Sequence, residues 1–386
     1  MIRLGINLVS FKKDYKGGIN SFALGLIKAL EKKNIQLNIY TNKESKFFLQ
    51  KIFKKSKITT IEQSKIIYLF LQLFCLLFNK KKLFINLENA YYKKIKKIID
   101  RECDVFYCPL SYLAPFNLNI PTVSSIHDLQ HLHYQNYFNI LQLKYRNFSF
   151  DETMKKSTIL QASSRFIKKD INKFYPNINK NKIKVINEGI SEDFKFKKVN
   201  FNKKNYIFFP AQLWKHKNHM TVLKSIKFLK DSFRMNVKLI MVGQKFTSSR
   251  KILNFIIKNN DLNIEYLGKV NFKKLIYLYE NCKFLISPAI YESSSIPILE
   301  ACKIGRPVIC SDTPPNKELG KKLKINFFKT KDYINLANVI KILWKNNKFI
   351  DNQIKFNKKN IHKYSWDKIS NDYYTIFSKL NKNIYN

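Results

Sequence analysis

Glycine and proline are scarce, 9 and 10 of 386 residues, which excludes collagen-like and linker-dominated chains. Arginine is scarcer still, 7 against 64 lysines, whereas sites that read nucleic acid favour its bidentate fork. Acidic side chains number 27 against 71 basic ones, a formal net charge of +44. The lysines run through the whole chain and accompany 42 asparagines and abundant isoleucine, a set that shares AT-rich codons. Much of the charge therefore reads as codon bias. Nucleic acid is not expected as a partner; an anionic membrane surface is.

The six cysteines (Cys75, Cys103, Cys108, Cys282, Cys302, Cys310) form no CxxC pair and no metal spacing. Most sit in apolar segments, as reduced, packed thiols of a cytoplasmic protein do. The first ten residues, MIRLGINLVS, are too short an apolar run for a signal peptide and read as a first strand. One apolar segment, Ile66 to Phe78, is flanked by Lys65 and by Lys80, Lys81 and Lys82. It is shorter than the about 20 residues a spanning helix needs. Two readings are open: a buried helix, or a helix or loop that dips into the lipid interface with its lysines on headgroups. No repeat of fixed period is present.

Hydrophobic residues make up 45% and aromatics 15%, which excludes a disordered chain. Short apolar strands alternate with amphipathic helical stretches, the rhythm of βαβ units and parallel sheets. Strands are predicted at 2–9, 35–41, 105–108, 122–126, 158–162 and 183–186, with a helix over 19–32. A polar stretch from Asn187 to Asn205 marks a boundary, and the rhythm restarts with strands at 206–210, 237–242, 264–267, 284–287 and 307–310. Helices are predicted at 220–230 and 250–259. From Ile350 the tail is helical and polar, with aromatic anchors such as Trp366. The α/β pattern implies two doubly wound domains facing each other across a cleft, with ligands beyond the carboxyl ends of the strands.

Four places carry candidate chemistry. Gly17-Gly18 follows the first strand and precedes a helix; it suits backbone approach to an anion or a plain tight turn, and no full GxGxxG follows. His127 and Asp128 stand at the end of the strand 122–126. A metal at His127, His131 and His133 matches no strong zinc spacing, so His131 and His133 read as packing or capping. Lys215, His216, Lys217 and His219 stand beyond the strand 206–210 and just before a helix, which suits receipt of a phosphate or a plain solvated basic loop. In YESSSIPILEACKIGRPVICSD, Pro297 suits a first helical turn, so Ser293, Ser294 and Ser295 approach a helix start that would face a diphosphate. Glu292 and Glu300 lie eight residues apart, too far round this turn to face one bond as a glycoside-hydrolase pair does.

This last stretch resembles the retaining family 4 glycosyltransferases of GT-B fold. Their signature is a glutamate, seven residues, a second glutamate, an alanine and a G-x-P-V strand, matched by Glu292, Glu300, Ala301 and Gly305 to Val308. FPAQLWKHKNH is similar to the FPAQFWPHKNH-type stretch of one branch. The resemblance runs over essentially the whole chain, through the paired glycines, the IHD strand end and NEGI.

It implies a GT-B architecture of two Rossmann-like domains: 1–188 on the acceptor side, 189–365 for the nucleotide-sugar donor, and 366–386 a helix packing back towards the first. It implies that Glu300 binds the donor ribose and Glu292 the transferred sugar near its anomeric centre. Lys217 would neutralise the departing diphosphate, His127 would touch the sugar, and Gly18 would let backbone meet the donor. Gln212, Lys215, Ser294, Ser295 and Ile296 would complete the donor site. Two departures stand out: Gln212 where many members have arginine, with Lys215 as a substitute charge, and Ser293–Ser295 in place of a glycine-rich turn.

The activity implied is transfer of a sugar from a nucleotide-diphosphate sugar to a saccharide or lipid-linked acceptor, with retained configuration and by a front-face mechanism. No metal or other cofactor is expected. Surface polysaccharide or lipopolysaccharide would be the product, made in the cytoplasm or peripherally on the inner face of the plasma membrane. The alternatives are a GT-B nucleotide-sugar epimerase and a non-catalytic polyanion-binding homologue.

Overall fold

The computed structural model describes residues 1–13, 18–61, 65–197, 206–246 and 249–385. Gly17 and the 198–205 part of the expected boundary lie outside these. The chain divides into two compact units, Met1–Gly189 with Trp366–Asn386, and Ile190–Ser365.

The first unit runs β1 (Ile2–Leu8), α1 (Gly18–Leu30), β2 (Ile35–Thr41), α2 (Lys43–Ile52), β3 (Lys57–Thr60), α3 (Lys65–Leu77), α4 (Lys81–Tyr91) and α5 (Lys93–Glu102). It continues with β4 (Val105–Cys108), β5 (Thr122–Ile126), α6 (Gln130–His133), α7 (Ile140–Lys156), β6 (Ile159–Ala162), α8 (Arg165–Phe174) and β7 (Ile183–Val185). These strands make one parallel sheet in the order β3-β2-β1-β4-β5-β6-β7. The central strands β4 and β5 are buried along their length and β1 at every position but Arg3, as burial on both faces of a parallel sheet requires.

The second unit runs β8 (Tyr206–Pro210), α9 (His219–Phe233), β9 (Lys238–Val242), α10 (Arg250–Lys258), β10 (Ile264–Tyr266), α11 (Phe272–Asn281) and β11 (Phe284–Ser287). Then come α12 (Ile296–Ile304), β12 (Val308–Ser311), α13 (Pro314–Gly320), β13 (Asn326–Phe328), α14 (Tyr333–Lys345) and α15 (Asn347–Asn360). Its parallel sheet is ordered β10-β9-β8-β11-β12-β13.

The final helix, α16 (Trp366–Tyr385), belongs to the first unit. Trp366 explains the attachment: its indole lies where a Cβ on Gly25 or Gly189 would stand, so neither position admits a side chain. Its ring also meets Phe22 edge-on at 5.5 Å, and Tyr373 and Phe377 bury behind it in the same core.

The segment at 66–78 is not a buried helix. Among the described side chains of α3, only Cys75 and Leu76 are buried, while Tyr68 and Gln72 are half-buried and turn towards Glu88. Leu69, Phe70, Leu73, Phe74 and Leu77 are exposed, as is Phe78 beyond the helix end. These five helical residues share one stripe, spanning about 140° of the circumference at 3.6 residues per turn, and Leu71, also exposed, lies about 60° beyond its edge. Among the described residues no helix is long and apolar enough to cross a membrane. All six cysteines are buried and unbridged.

Candidate active site

In the second sheet β8 and β11 are neighbours although β9 and β10 intervene in sequence, so the topology reverses between them. A crevice outside the carboxyl ends of such a pair is where doubly wound sheets bind ligands. The two loops leaving this point are tied together: Ile290 N–H donates to the His216 carbonyl at 2.9 Å, and Asn218 Nδ2 donates to the Pro288 carbonyl at 3.0 Å. Asn218 adopts the left-handed conformation, φ 56°, between a 3-10 turn at Lys215–Lys217 and α9. That sharp turn aims Lys217 at the other loop. Its Nζ lies 2.6 Å from Oε1 of Glu292, with both side chains largely buried.

Glu292 also precedes α12. Pro297 occupies the first turn, and Ser295 stands at the N-cap without capping through its side chain. The Ser295 hydroxyl is fully buried and donates to Oδ1 of Asn316 at 2.8 Å, while Asn316 Nδ2 donates to the Ser311 carbonyl. The Ser295 hydroxyl therefore braces the helix start. Ser294 and Ile296 are half-buried beside it. The helix ends at Gly305, φ 88°, where a Cβ would strike Phe196.

One turn into α12, Glu300 accepts a 2.6 Å hydrogen bond from the Tyr279 hydroxyl at its Oε2. Some of the Glu300 residue surface is open, but protein surrounds the carboxyl. This desolvation outweighs the Tyr279 bond and raises its pKa to about 7. Gln212, past β8, accepts at Oε1 from the Trp214 indole N–H at 2.9 Å, and Trp214 stacks on Phe246 with centroids 3.8 Å apart. Lys215 is exposed. His219 departs from expectation: it is buried against the face of Phe209, and burial lowers its pKa to about 3, so it carries no charge for an anion.

In the first unit His127 stands just past β5, buried, with Nε2 2.7 Å from the Pro109 carbonyl and Nδ1 3.1 Å from Oε1 of Glu188. A carbonyl only accepts, and so does a carboxylate. With Glu188 ionised, both ring nitrogens carry protons and His127 is an imidazolium. Burial opposes that charge, but the Glu188 hydrogen bond and charge outweigh it, so the pKa is raised. Asp128 pairs with Arg146 at 2.7 Å; burial would raise its pKa, and the Arg146 charge brings it below the ordinary range. His131 is buried on the Phe150 ring and His133 bonds Asp170 at 2.7 Å. Among the described residues no three His, Cys, Asp or Glu side chains gather as a metal site. Gly18 is exposed and begins α1.

The structure thus joins Lys217 to Glu292 and sets Glu300 one helix further on. It also adds three residues: Glu188, Tyr279 and Asn316. Glu188 stands in the NEGI stretch, but its pairing with His127 depends on the fold. Tyr279 and Asn316 carry no local signal, since each reaches its partner across an intervening strand.

Comparison with known proteins covers both halves. The model described as "Glycosyl transferases group 1" matches residues 191–360, and "Glycosyltransferase Family 4" matches residues 16–194. The chain is 28% identical over 226 residues to the O-antigen chain mannosyltransferase RfbU of Salmonella typhimurium, spanning 58% of this chain and 61% of that protein. It is 23% identical over 220 residues to O-antigen chain mannosyltransferase B of Escherichia coli, 54% of this chain and 57% of the relative. The matched region is therefore about three fifths of each relative's length. Among solved structures, Anabaena Alr3699/HepE in complex with UDP and glucose is similar at TM-score 0.75 and 14% identity, covering 98% of this chain and 100% of that one. WaaG, a glycosyltransferase involved in lipopolysaccharide biosynthesis, is similar at TM-score 0.70 and 15% identity, covering 97% and 99%. Both likenesses are to GT-B folds of two Rossmann-like domains.

Proposed function

Because the model described as "Glycosyl transferases group 1" matches residues 191–360 and the one described as "Glycosyltransferase Family 4" matches residues 16–194, we propose that the chain is a retaining, metal-independent sugar transferase. Its donor is a nucleotide-diphosphate sugar and its acceptor a saccharide or lipid-linked saccharide of surface polysaccharide or lipopolysaccharide. The observation that carries this reading is the Lys217–Glu292 pair at 2.6 Å, set beyond the switch point beside the start of α12. The names of the mannosyltransferase relatives and of the UDP-bound structural neighbour support it.

Each residue then has a chemical task. Glu300 accepts from the ribose hydroxyls, and the first turn of α12 faces the diphosphate with its positive end. Lys217 stabilises the charge that grows on the leaving phosphate, and Glu292 holds the sugar hydroxyls as positive charge develops at the anomeric carbon. The bond from that carbon to the phosphate oxygen breaks while the bond to the acceptor oxygen forms on the same face. The acceptor's proton passes to the departing phosphate. His127 would touch the sugar from the first domain through its ring surface, since both its nitrogens are engaged by Pro109 and Glu188.

The α3 stripe supports a lipid surface for this work. Burying three of its large side chains is worth roughly 5–9 kcal/mol, and Lys80 and Lys82, exposed beside it, suit anionic headgroups at about 1 kcal/mol each. Buried, unbridged cysteines suit a cytoplasmic site of action.

The test is donor turnover followed by proton NMR with GDP-mannose and UDP-glucose, in buffer with and without EDTA. The reading expects the first-formed sugar to keep the donor's anomeric configuration, at a rate EDTA leaves unchanged. An inverted anomer, or no release from any donor, contradicts it.

A further inference from the structure

Tyr279 is among the largest fully buried side chains in the second unit. Phe194 and Phe208 meet its ring edge-on at 5.5 and 5.1 Å. Its carbonyl accepts from Nε of Arg306 at 3.2 Å and from the Cys282 thiol at 3.2 Å. Arg306, itself buried, also donates to the carbonyls of Glu280, Lys197 and Gly305. Backbone and ring are thus both clamped, and the phenol has one place to go: Oε2 of Glu300.

We propose that Tyr279 is a positioning residue for the donor nucleotide: it holds Glu300 by Oε2 and presents Oε1 to the vicinal ribose hydroxyls. The inference rests on the reading of Glu300 given above. A carboxylate on a helix has several rotamers, and fixing one in advance lowers the entropy lost when the ribose binds. A hydrogen bond donated to one oxygen also stabilises the ionised form, the form that accepts from two hydroxyls. Without it the buried carboxyl would hold its proton to higher pH and lose acceptor capacity.

Other groups packed on α12 leave this pairing alone. Cys302, on the same helix, receives Asn357 Nδ2 from α15 at 3.5 Å. Arg306 is spent on carbonyls, and β11 and β12 are mostly apolar with buried Ser287, Ser311 and Cys310. Tyr364, in the turn after α15, packs in the same core. Tyr279 is the titratable side chain that reaches Glu300.

The experiment measures the affinity of the full chain for UDP and GDP, and for their 2′-deoxy counterparts, by calorimetry across pH 6 to 8.5. For the wild type, affinity for the preferred ribonucleotide should fall below a midpoint near pH 7, where Glu300 takes up its proton. In Tyr279→Phe the affinity should drop about tenfold at neutral pH, as expected for losing a hydrogen bond to a carboxylate. The midpoint should move to higher pH, and the preference for ribose over deoxyribose should shrink. A purely structural tyrosine would move neither midpoint nor ribose preference. Unchanged values in Tyr279→Phe, with Glu300→Ala still weakening binding, would overturn this proposal and leave the donor site standing. Undiminished binding in Glu300→Ala would remove both. If the phenylalanine variant does not fold, 3-fluorotyrosine at position 279 keeps ring and hydroxyl and donates more strongly. Its midpoint should then move down, and an unmoved midpoint would count against the proposal.

Discussion

Nζ of Lys217 and Oε1 of Glu292 meet at 2.6 Å although 75 residues separate them. Each comes from the loop after one of two adjacent strands, β8 and β11, and the loops are stitched by backbone and Asn218 bonds. A partly buried ion pair of this kind holds two charges ready for a substrate that brings its own: the diphosphate for Lys217, the sugar hydroxyls for Glu292. Either Lys217→Ala or Glu292→Gln should lower donor turnover by about 10²–10³, the usual effect of deleting one preorganised group. The double variant should fall well short of the product of the two losses, since the residues act as a unit. Turnover rates of the three variants check this.

The His127–Glu188 pair has a definite pH signature. The folded-state pKa of His127 is raised, with the Glu188 interactions outweighing burial. Its stabilising contribution is therefore complete below the ordinary histidine value of about 6.5 and is lost as pH rises through the raised value. In urea unfolding, the advantage of wild type over Glu188→Gln should be larger at pH 6 than at pH 9. Imidazole NMR should place the His127 midpoint above the ordinary value in wild type and lower in the variant. An advantage that grows with pH would refute the imidazolium assignment.

His131 and His219 work in the opposite sense. Burial lowers both to about 3, while the unfolded chain protonates each near 6.5. Between these values the unfolded state binds more protons, so stability falls with acidification by up to about 1.4 kcal/mol per pH unit for each residue. His219→Phe, which keeps the ring contact with Phe209, should flatten that acid limb by one residue's share. Denaturation midpoints from pH 6.5 to 4.5 measure the slope.

Much of the architecture follows from period and punctuation, because buried parallel strands are written as short apolar runs between helical stretches. The two strands absent from the sequence reading, β3 and β13, are edge strands. β3 reads KITT and is nowhere buried, and β13 has three residues, so neither makes the apolar run that reveals a strand. The loop after β8 and the turn before α12 could be placed in the same way, beyond strand ends and before helices. The side-chain pairs could not. Tyr279–Glu300 and His127–Glu188 join residues 21 and 61 apart through the packing of separate elements. His219 shows the converse: it stands in a basic loop sequence yet turns inwards, because the first turn of α9 presents it to Phe209.

The exposed stripe of α3 makes a claim about lipid. Full-length protein should co-float with vesicles containing phosphatidylglycerol and bind far less to pure phosphatidylcholine. Replacing Phe70 and Phe74 by aspartate should release it without lowering the melting temperature, as both side chains already face solvent. Equal behaviour on both vesicles, or binding that survives the two substitutions, would contradict an anionic membrane partner.

The central claim, a nucleotide-diphosphate sugar bound beyond β8 and β11, is tested most directly by thermal shift against UDP-, GDP-, dTDP- and CMP-sugars. A ligand that binds only the native state raises the melting temperature. The account predicts selective stabilisation by one nucleoside-diphosphate class, lost in Glu300→Ala and weakened in Lys217→Ala. Stabilisation by none of them, or stabilisation that both variants retain in full, would contradict it.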